Sequence, residues 1–312
     1  MRPSLNLVFC GTPRFAVPTL EKLIASGFAV SAVVTQPDRA RGRGLEFAPS
    51  PVKARAVELG LTIRQPEKIK NNPEFRSLLS SLNPDAIIVV GYGRMIPQWM
   101  LDLPRHGNIN LHASLLPMYR GAAPIQWAIA RGEVVTGVTT MRIDSGLDTG
   151  DILLQKEVSI APEDTAETLS PRLAAVGSDV MIETLRGLQT GKVQPHPQEH
   201  GKATLAPILK KEDGRIDFRR TAEEICNRLR GFQPWPGAFT TFRGKNLQVC
   251  AAEPVPSKFV TGELAVQGDR LLAGSGENTA LELLEVQPEG KKRMPARDFV
   301  HGYHPATGEK LG

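Results

Sequence analysis

The run Ala86-Ile87-Ile88-Val89-Val90 is apolar at every position and stops at Gly91-Tyr92-Gly93. Such a strand has no face to offer water, so both of its faces must be covered, as in the middle of a parallel sheet flanked by helices. Leu5 to Cys10, closed by Gly11-Thr12-Pro13, and the valine-rich Ala29 to Thr35 share this character. Between these runs lie segments of helical period. Phe15, Leu20, Leu23 and Ile24 precede Gly27; Val52, Ala56 and Leu59 precede Gly60; Phe75, Leu78, Leu79 and Leu82 precede Asn83-Pro84. Further strands are expected over 108–112, 134–143 and 152–160, with helices over 124–130 and from about 165 to 188. The alternation predicts an α/β fold, a doubly wound and mostly parallel sheet, over residues 1–190.

Past residue 190 the texture changes. Residues 191–207 hold three prolines and two histidines without periodicity and read as a linker. From 208 to 312, one helix-like stretch (Ala222 to Leu229) precedes short alternating segments with glycine-rich turns, which predicts a small β-barrel or sandwich. A length of 312 residues agrees with two domains. No stretch approaches the roughly 18 apolar residues of a membrane span, and the residues before Gly11 read as a first strand rather than a signal peptide. Cys10, Cys226 and Cys250 provide neither a disulfide framework nor zinc spacing. A cytoplasmic chain without membrane attachment is expected, and nothing demands more than a monomer.

The densest polar group is Asn108-Ile109-Asn110-Leu111-His112-Ala113-Ser114. On a strand, Asn110 and His112 share a face about 7 Å apart, and ligands of open α/β sheets bind at the carboxyl ends of strands. An amide beside an imidazole can receive negative charge developing on a carbonyl oxygen; a polar strand with a satisfied histidine has the same spelling. The second group, Asp144 to Asp151, sets three acids among two glycines without the ligand pattern of a calcium loop. A carboxylate from it, brought close to His112, would orient the imidazole. Gly-x-Gly-x-x-Gly, Gly-Lys-Ser/Thr, Gly-x-Ser-x-Gly and metal-ligand spacings are all missing, which argues against a nicotinamide dehydrogenase, a P-loop protein, a serine hydrolase and a metal-dependent enzyme.

The run Gly107-Asn-Ile-Asn-Leu-His-Ala-Ser-Leu-Leu-Pro-Met-Tyr-Arg-Gly-Ala-Ala-Pro-Ile125, followed by Asp144-x-Gly-Leu-Asp148-Thr-Gly150, resembles the signature of the folate-dependent formyltransferases. Phe9-x-Gly-Thr-Pro-x-Phe15, Gln36-Pro-Asp-Arg39, Gly42-Arg-Gly44, Pro49-Ser-Pro-Val-Lys53 and Pro234-Trp-Pro-Gly-Ala238 extend the likeness along the chain, toward the branch acting on initiator tRNA. The resemblance implies a Rossmann-like catalytic domain and a C-terminal OB-type barrel that binds tRNA. It implies transfer of a formyl group from 10-formyltetrahydrofolate, as co-substrate, to the α-amine of methionine on initiator tRNA, without a metal. Asn110, His112 and Asp148 would be catalytic. Ser114, Leu115, Leu116 and Pro117 would lie along the folate, and Tyr92, Gly93, Arg94, Met95 and Ile96 would line its pterin pocket.

The charge balance, 38 basic against 33 acidic residues, requires no polyanionic partner by itself. Its distribution is uneven, with five cations and two anions between Gln36 and Arg55, a stretch that reads as a loop rather than a helix face. The resemblance assigns Arg39, Arg41 and Arg43 of this loop, with Lys210 and Lys211, to tRNA. Leu45, Glu46 and Ile208 stand where relatives carry lysine. A sugar-nucleotide or other small-amine formyltransferase, and a non-catalytic tRNA-binding protein of the same fold, are the alternative readings.

Overall fold

The computed structural model describes residues 5–41 and 46–312. β1 (Asn6–Gly11) leads through α1 (Val17–Ala25) to β2 (Ala29–Val34). β3 (Arg39–Arg41) and β4 (Glu46–Ala48) then precede α2 (Pro51–Glu58) and the short β5 (Ile63–Arg64). α3 (Pro73–Leu82), β6 (Ala86–Val90), α4 (Gln98–Leu101) and β7 (Asn108–His112) follow. α5 (Pro124–Ala130), β8 (Val135–Arg142), β9 (Ile152–Ser159) and α6 (Ala166–Thr190) complete this half. The sheet has the order β5-β2-β1-β6-β7-β8-β9, parallel from β5 to β7 and antiparallel between β7 and β8.

The chain winds outward from β1 to β5, then returns to lay β6 on the other side of β1. That reversal opens a crevice at the carboxyl ends of β1 and β6. All five residues of β6 are buried, as an all-apolar strand requires. On one face Phe75 and Leu79 of α3 cover Val8, Cys10, Ile87 and Val89. On the other, α6 comes so close that a Cβ added to Gly177 would lie 2.7 Å from Leu111 Cδ2. Proline at the helix start and side-chain caps begin α2 and α3: Ser50 Oγ accepts from Lys53 N at 3.0 Å, and Asn72 Oδ1 from Phe75 N at 2.9 Å.

The second half holds α7 (Ala222–Gly231), then β10 (Ala238–Phe242), β11 (Lys245–Pro256), β12 (Leu264–Gln267), β13 (Arg270–Gly274), β14 (Thr279–Pro288), β15 (Met294–Pro295) and α8 (Ala296–Tyr303). The strands pair antiparallel in the order β10-β11-β14-β13-β12. Leu311 bridges to Phe242 and Lys310 to Glu263, so the C-terminal residues close the gap between β10 and β12 and leave a small barrel. Its core gathers Ile225 and Leu229 of α7, Leu247, Leu271, Leu281 and Phe299. α8 is not evident in the sequence pattern: it is short, has no side-chain cap, and its helical stripe is little more than Phe299 and Val300.

Two compact units result. One comprises residues up to Gly121 with Thr136–Ser159 and Ser170–Leu205; the other comprises Ala122–Val135, Ile160–Leu169 and Ala206–Gly312. α5 therefore belongs to the same unit as α7, despite its place in the first half of the chain. The basic stretch after β2 differs from the loop expected, because β3 and β4 pair as antiparallel strands with Arg39 opposite Ala48. Gly42 and Gly44 between two three-residue segments are the hairpin signal that its charge obscured. Among the described residues no helix is long and apolar enough to cross a membrane.

α5 and α7 approach closely at Gly231, where an added Cβ would stand 2.6 Å from Gln126 O and 2.7 Å from Ala130 N. Main chain cannot yield as a flexible side chain can. Gly231→Ala is expected to lower stability by about 1–3 kcal/mol, measured as a shift of the urea unfolding midpoint monitored at tryptophan.

Candidate active site

β7 sets the site. Its parallel register pairs Ile87 with Asn108 and Val89 with Asn110, so the turn after β6 runs beside the turn after β7. Alternation sends Leu111 toward α6, while Asn108 reaches the opposite face and donates to Met100 O at 2.8 Å. Asn110 and His112 share that second face. Asn110 is half-buried, and its amide makes no hydrogen bond among the described residues. His112 is buried and its Nε2 lies 2.9 Å from Tyr119 O. A carbonyl only accepts, so Nε2 carries the proton in this bond and Nδ1 is the nitrogen left for other partners.

Nδ1 faces Asp148. The gap to Asp148 Oδ2 is 3.7 Å, an ion-pair separation rather than a hydrogen bond. Asp148 Oδ2 accepts instead from Gly121 N at 2.8 Å. The acidic loop holds this carboxylate by local chemistry. Asp144 accepts from Gly146 N at 3.0 Å and from Thr149 Oγ1 at 2.7 Å, and Asp148 sits at φ 51°, in the left-handed region. Gly150 is required by a close approach, since a Cβ there would lie 2.0 Å from Arg142 O. The structure thus brings Asn110, His112 and Asp148 to one edge of the sheet.

Ser114, Leu115, Leu116 and Pro117 form the turn after β7, anchored on Thr139 of β8. Thr139 Oγ1 donates to Ser114 O at 2.6 Å and accepts from Leu116 N at 3.1 Å. Gln155 Nε2 donates to Leu116 O at 2.9 Å, so β8 and β9 together hold three main-chain polar groups of this turn. Of the turn after β6, Tyr92 and Ile96 are buried in the core beside Met100, while Met95 is 87% exposed. Burial pushes the Tyr92 phenol up, and likewise the Cys10 thiol, which disqualifies it as a nucleophile. Tyr92 O accepts from Gln36 Nε2 at 3.0 Å, and Arg94 Nε donates to Gln36 Oε1 at 2.9 Å. Gly93 lies exposed at φ 74°.

Asp38, just before β3, is held by Lys53 Nζ and Gln65 Nε2, and these partners keep its carboxyl below the usual range. Of the tRNA candidates, Arg43 and the side chains of Arg39 and Arg41 lie outside the described residues. Lys210 and Lys211 are exposed at the start of the C-terminal stretch. The stretch read as a linker is bound to the site instead. His196 bridges to Ile152 and Leu205 to Arg120, and Thr204 accepts from Tyr119 N at 2.9 Å and Arg120 N at 2.9 Å. Its prolines break periodicity, which conceals an extended segment paired by isolated bridges.

Two matches cover most of this architecture. Residues 5–185 match the formyl transferase family model and residues 208–304 the model of the formyl transferase C-terminal domain. With the sheet and its polar carboxyl edge, they mean that the chain belongs to the formyl transferase family. The curated relatives narrow the group. Methionyl-tRNA formyltransferase of Koribacter versatilis is 66% identical over 98% of this chain and 98% of its own length. That of Acidobacterium capsulatum is 58% identical over 99% and 100%. Within its family the chain falls with the methionyl-tRNA formyltransferases. A solved N-formyltransferase from Helicobacter canadensis, in complex with folinic acid and dTDP-3-aminofucose, superposes with a TM-score of 0.65 at 18% identity over 91% of this chain and 99% of its own, a likeness of fold.

Thr139→Val keeps the shape but strands Leu116 N and Ser114 O without their buried partner. We expect a loss of about 1–3 kcal/mol, read from denaturant unfolding of the two proteins side by side.

Proposed function

We propose that this chain, as a cytoplasmic monomer, moves the formyl group of 10-formyltetrahydrofolate onto the α-amine of methionine carried by initiator tRNA. The observation that carries the reading is the meeting of His112 with Asp148 on the strand face that also bears the uncommitted Asn110 amide. A free α-amine has a pKa of about 7.7–8.0, so roughly a tenth to a sixth of it is the neutral nucleophile at pH 7 without further activation. Its lone pair forms the new C–N bond at the formyl carbon, and the carbonyl electrons move to oxygen. Asn110 Nδ2–H donates to that oxyanion. The imidazole of His112, held through Nε2 by Tyr119 O, presents Nδ1–H as a second donor when doubly protonated. Asp148 balances that charge and takes the amine proton, directly or through water. Collapse breaks the bond to N10 of the folate, and N10 takes up the proton released by the amine, passed on from Asp148 or water.

The turns after β6 and β7, residues 92–96 and 114–117, form the folate side of the site in this reading. Arg39, Arg41 and Arg43 of the basic stretch contact tRNA in this reading, as do Lys210 and Lys211 of the 208–312 domain. Few lysines remain there, since Leu45, Glu46 and Ile208 replace three, and each phosphate contact absent removes close to one unit of salt dependence.

Loss of one oxyanion donor costs about 2.7–4 kcal/mol, or roughly 10²–10³ in kcat. Asn110→Ala should therefore lower kcat by that factor with little change in KM, and His112→Ala should abolish turnover while tRNA affinity stays. Unchanged turnover in either variant would remove it from the mechanism. The purified protein should formylate initiator Met-tRNA far faster than elongator Met-tRNA, and Arg43→Ala should narrow that difference more than it weakens folate binding. Activity confined to a sugar amine would overturn the reading.

A further inference from the structure

Gln198 is buried to 5% exposure, and every polar atom of its side chain is spent on the site. Its Oε1 accepts from Arg120 Nε at 3.1 Å and Nη2 at 2.6 Å. Its Nε2 donates to Asp148 O at 2.9 Å and Gly150 O at 2.7 Å. Arg120 itself is 7% exposed and pairs with no carboxylate among the described residues, its Nη2 donating to His200 Nδ1 at 3.0 Å. A buried guanidinium is ordinarily expensive without such partners.

Arg120 lies between the two residues whose main chain grips the catalytic side chains. Tyr119 O holds His112 Nε2, and Gly121 N holds Asp148 Oδ2. Gln198 therefore joins both ends of one closed circuit: through Arg120 it fixes the 119–121 backbone, and through its amide it fixes the backbone of Asp148. An amide is the side chain able to do this, because one end must accept from a guanidinium while the other donates to carbonyls. Nothing else among the described residues donates to Asp148 O. The left-handed backbone at Asp148 is a conformation that a non-glycine residue keeps only where its surroundings impose it.

We propose that Gln198 is a positioning residue, which sets the separation between the His112 imidazole and the Asp148 carboxylate from outside the substrate pocket. The inference rests on the catalytic reading of Asp148 given above. Misplacement of a catalytic group by about 1 Å can cost 10²-fold in rate.

The test is a double-mutant cycle on the full-length protein, with kcat, KM for both substrates and thermal unfolding measured for each variant. Gln198→Glu keeps the acceptor for Arg120 but loses the donor to the two carbonyls. We expect a fall in kcat of about 10- to 100-fold, KM values within about twofold, and a cooperative unfolding transition lowered by about 2–10 °C, since two buried carbonyls lose their donor. Combined with Asp148→Asn, the substitution should add little to the loss that Asp148→Asn causes alone. Gln198→Leu, which removes both donor and acceptor without charge, should lose at least as much kcat. Parental kcat in either folded variant, or additive losses in the cycle, would overturn the proposal. So would failure of both variants to fold, since Gln198 would then serve the fold rather than the site. Full turnover by Asp148→Asn would instead overturn the underlying reading of Asp148, a result separate from any at Gln198.

Discussion

The main chain from Tyr119 to Gly121 sets the spacing on which the site depends. One carbonyl takes the Nε2 proton of His112, and two residues later one amide N–H fills Asp148 Oδ2. The imidazole and the carboxylate are thus held against the same three residues of backbone, and the 3.7 Å between them follows from that backbone rather than from a bond between the two side chains. Nδ1 and the carboxylate therefore lie close without being hydrogen-bonded to each other, and each keeps capacity for a group that approaches from the side. Direct pairing would tie both up, and the pair would then have to break before reacting.

Everything around that stretch is arranged to keep it still. Thr139 and Gln155 hold the turn after β7, Thr204 holds the N–H groups of Tyr119 and Arg120, and Gln198 holds Arg120. These anchors come from β8, β9 and the segment beyond α6. The β7–β8 antiparallel pair matters here, because it brings Thr139 opposite His112 where the parallel part of the sheet ends. Arg120 apart, the groups that anchor this stretch are neutral, which suits the task. Amides and hydroxyls fix direction over short range, while further carboxylates near Asp148 would compete with it for charge.

Much of the fold was legible from hydrophobic period alone. Ala86–Val90, Asn108–His112 and Pro124–Ala130 fall where apolar spacing and glycine or proline breaks put them, since those signals act within a few residues. The likeness in the Asn110–His112 and Asp144–Gly150 motifs pointed to the site, and the glycines there have visible reasons in the approach of Gly150 to Arg142 O. What escaped were short or unperiodic pieces. α8 has one turn's worth of apolar side chains, the β3–β4 hairpin is three residues a strand, and the 191–207 stretch looks like a linker because its bonds are made to residues far away in the chain.

By itself the sequence determined which strands must be buried, where they end, and that one strand would carry an amide and an imidazole to the carboxyl edge of a sheet. Period and turn chemistry are local, so they survive in a linear reading. Only tertiary structure decided that Asp148 would arrive within 3.7 Å of His112, and that Gln198 would close the circuit behind them. Apart from the local bond of His112 to Tyr119, those outcomes depend on hydrogen bonds between residues 27 to 78 positions apart, whose directions no stretch of sequence contains.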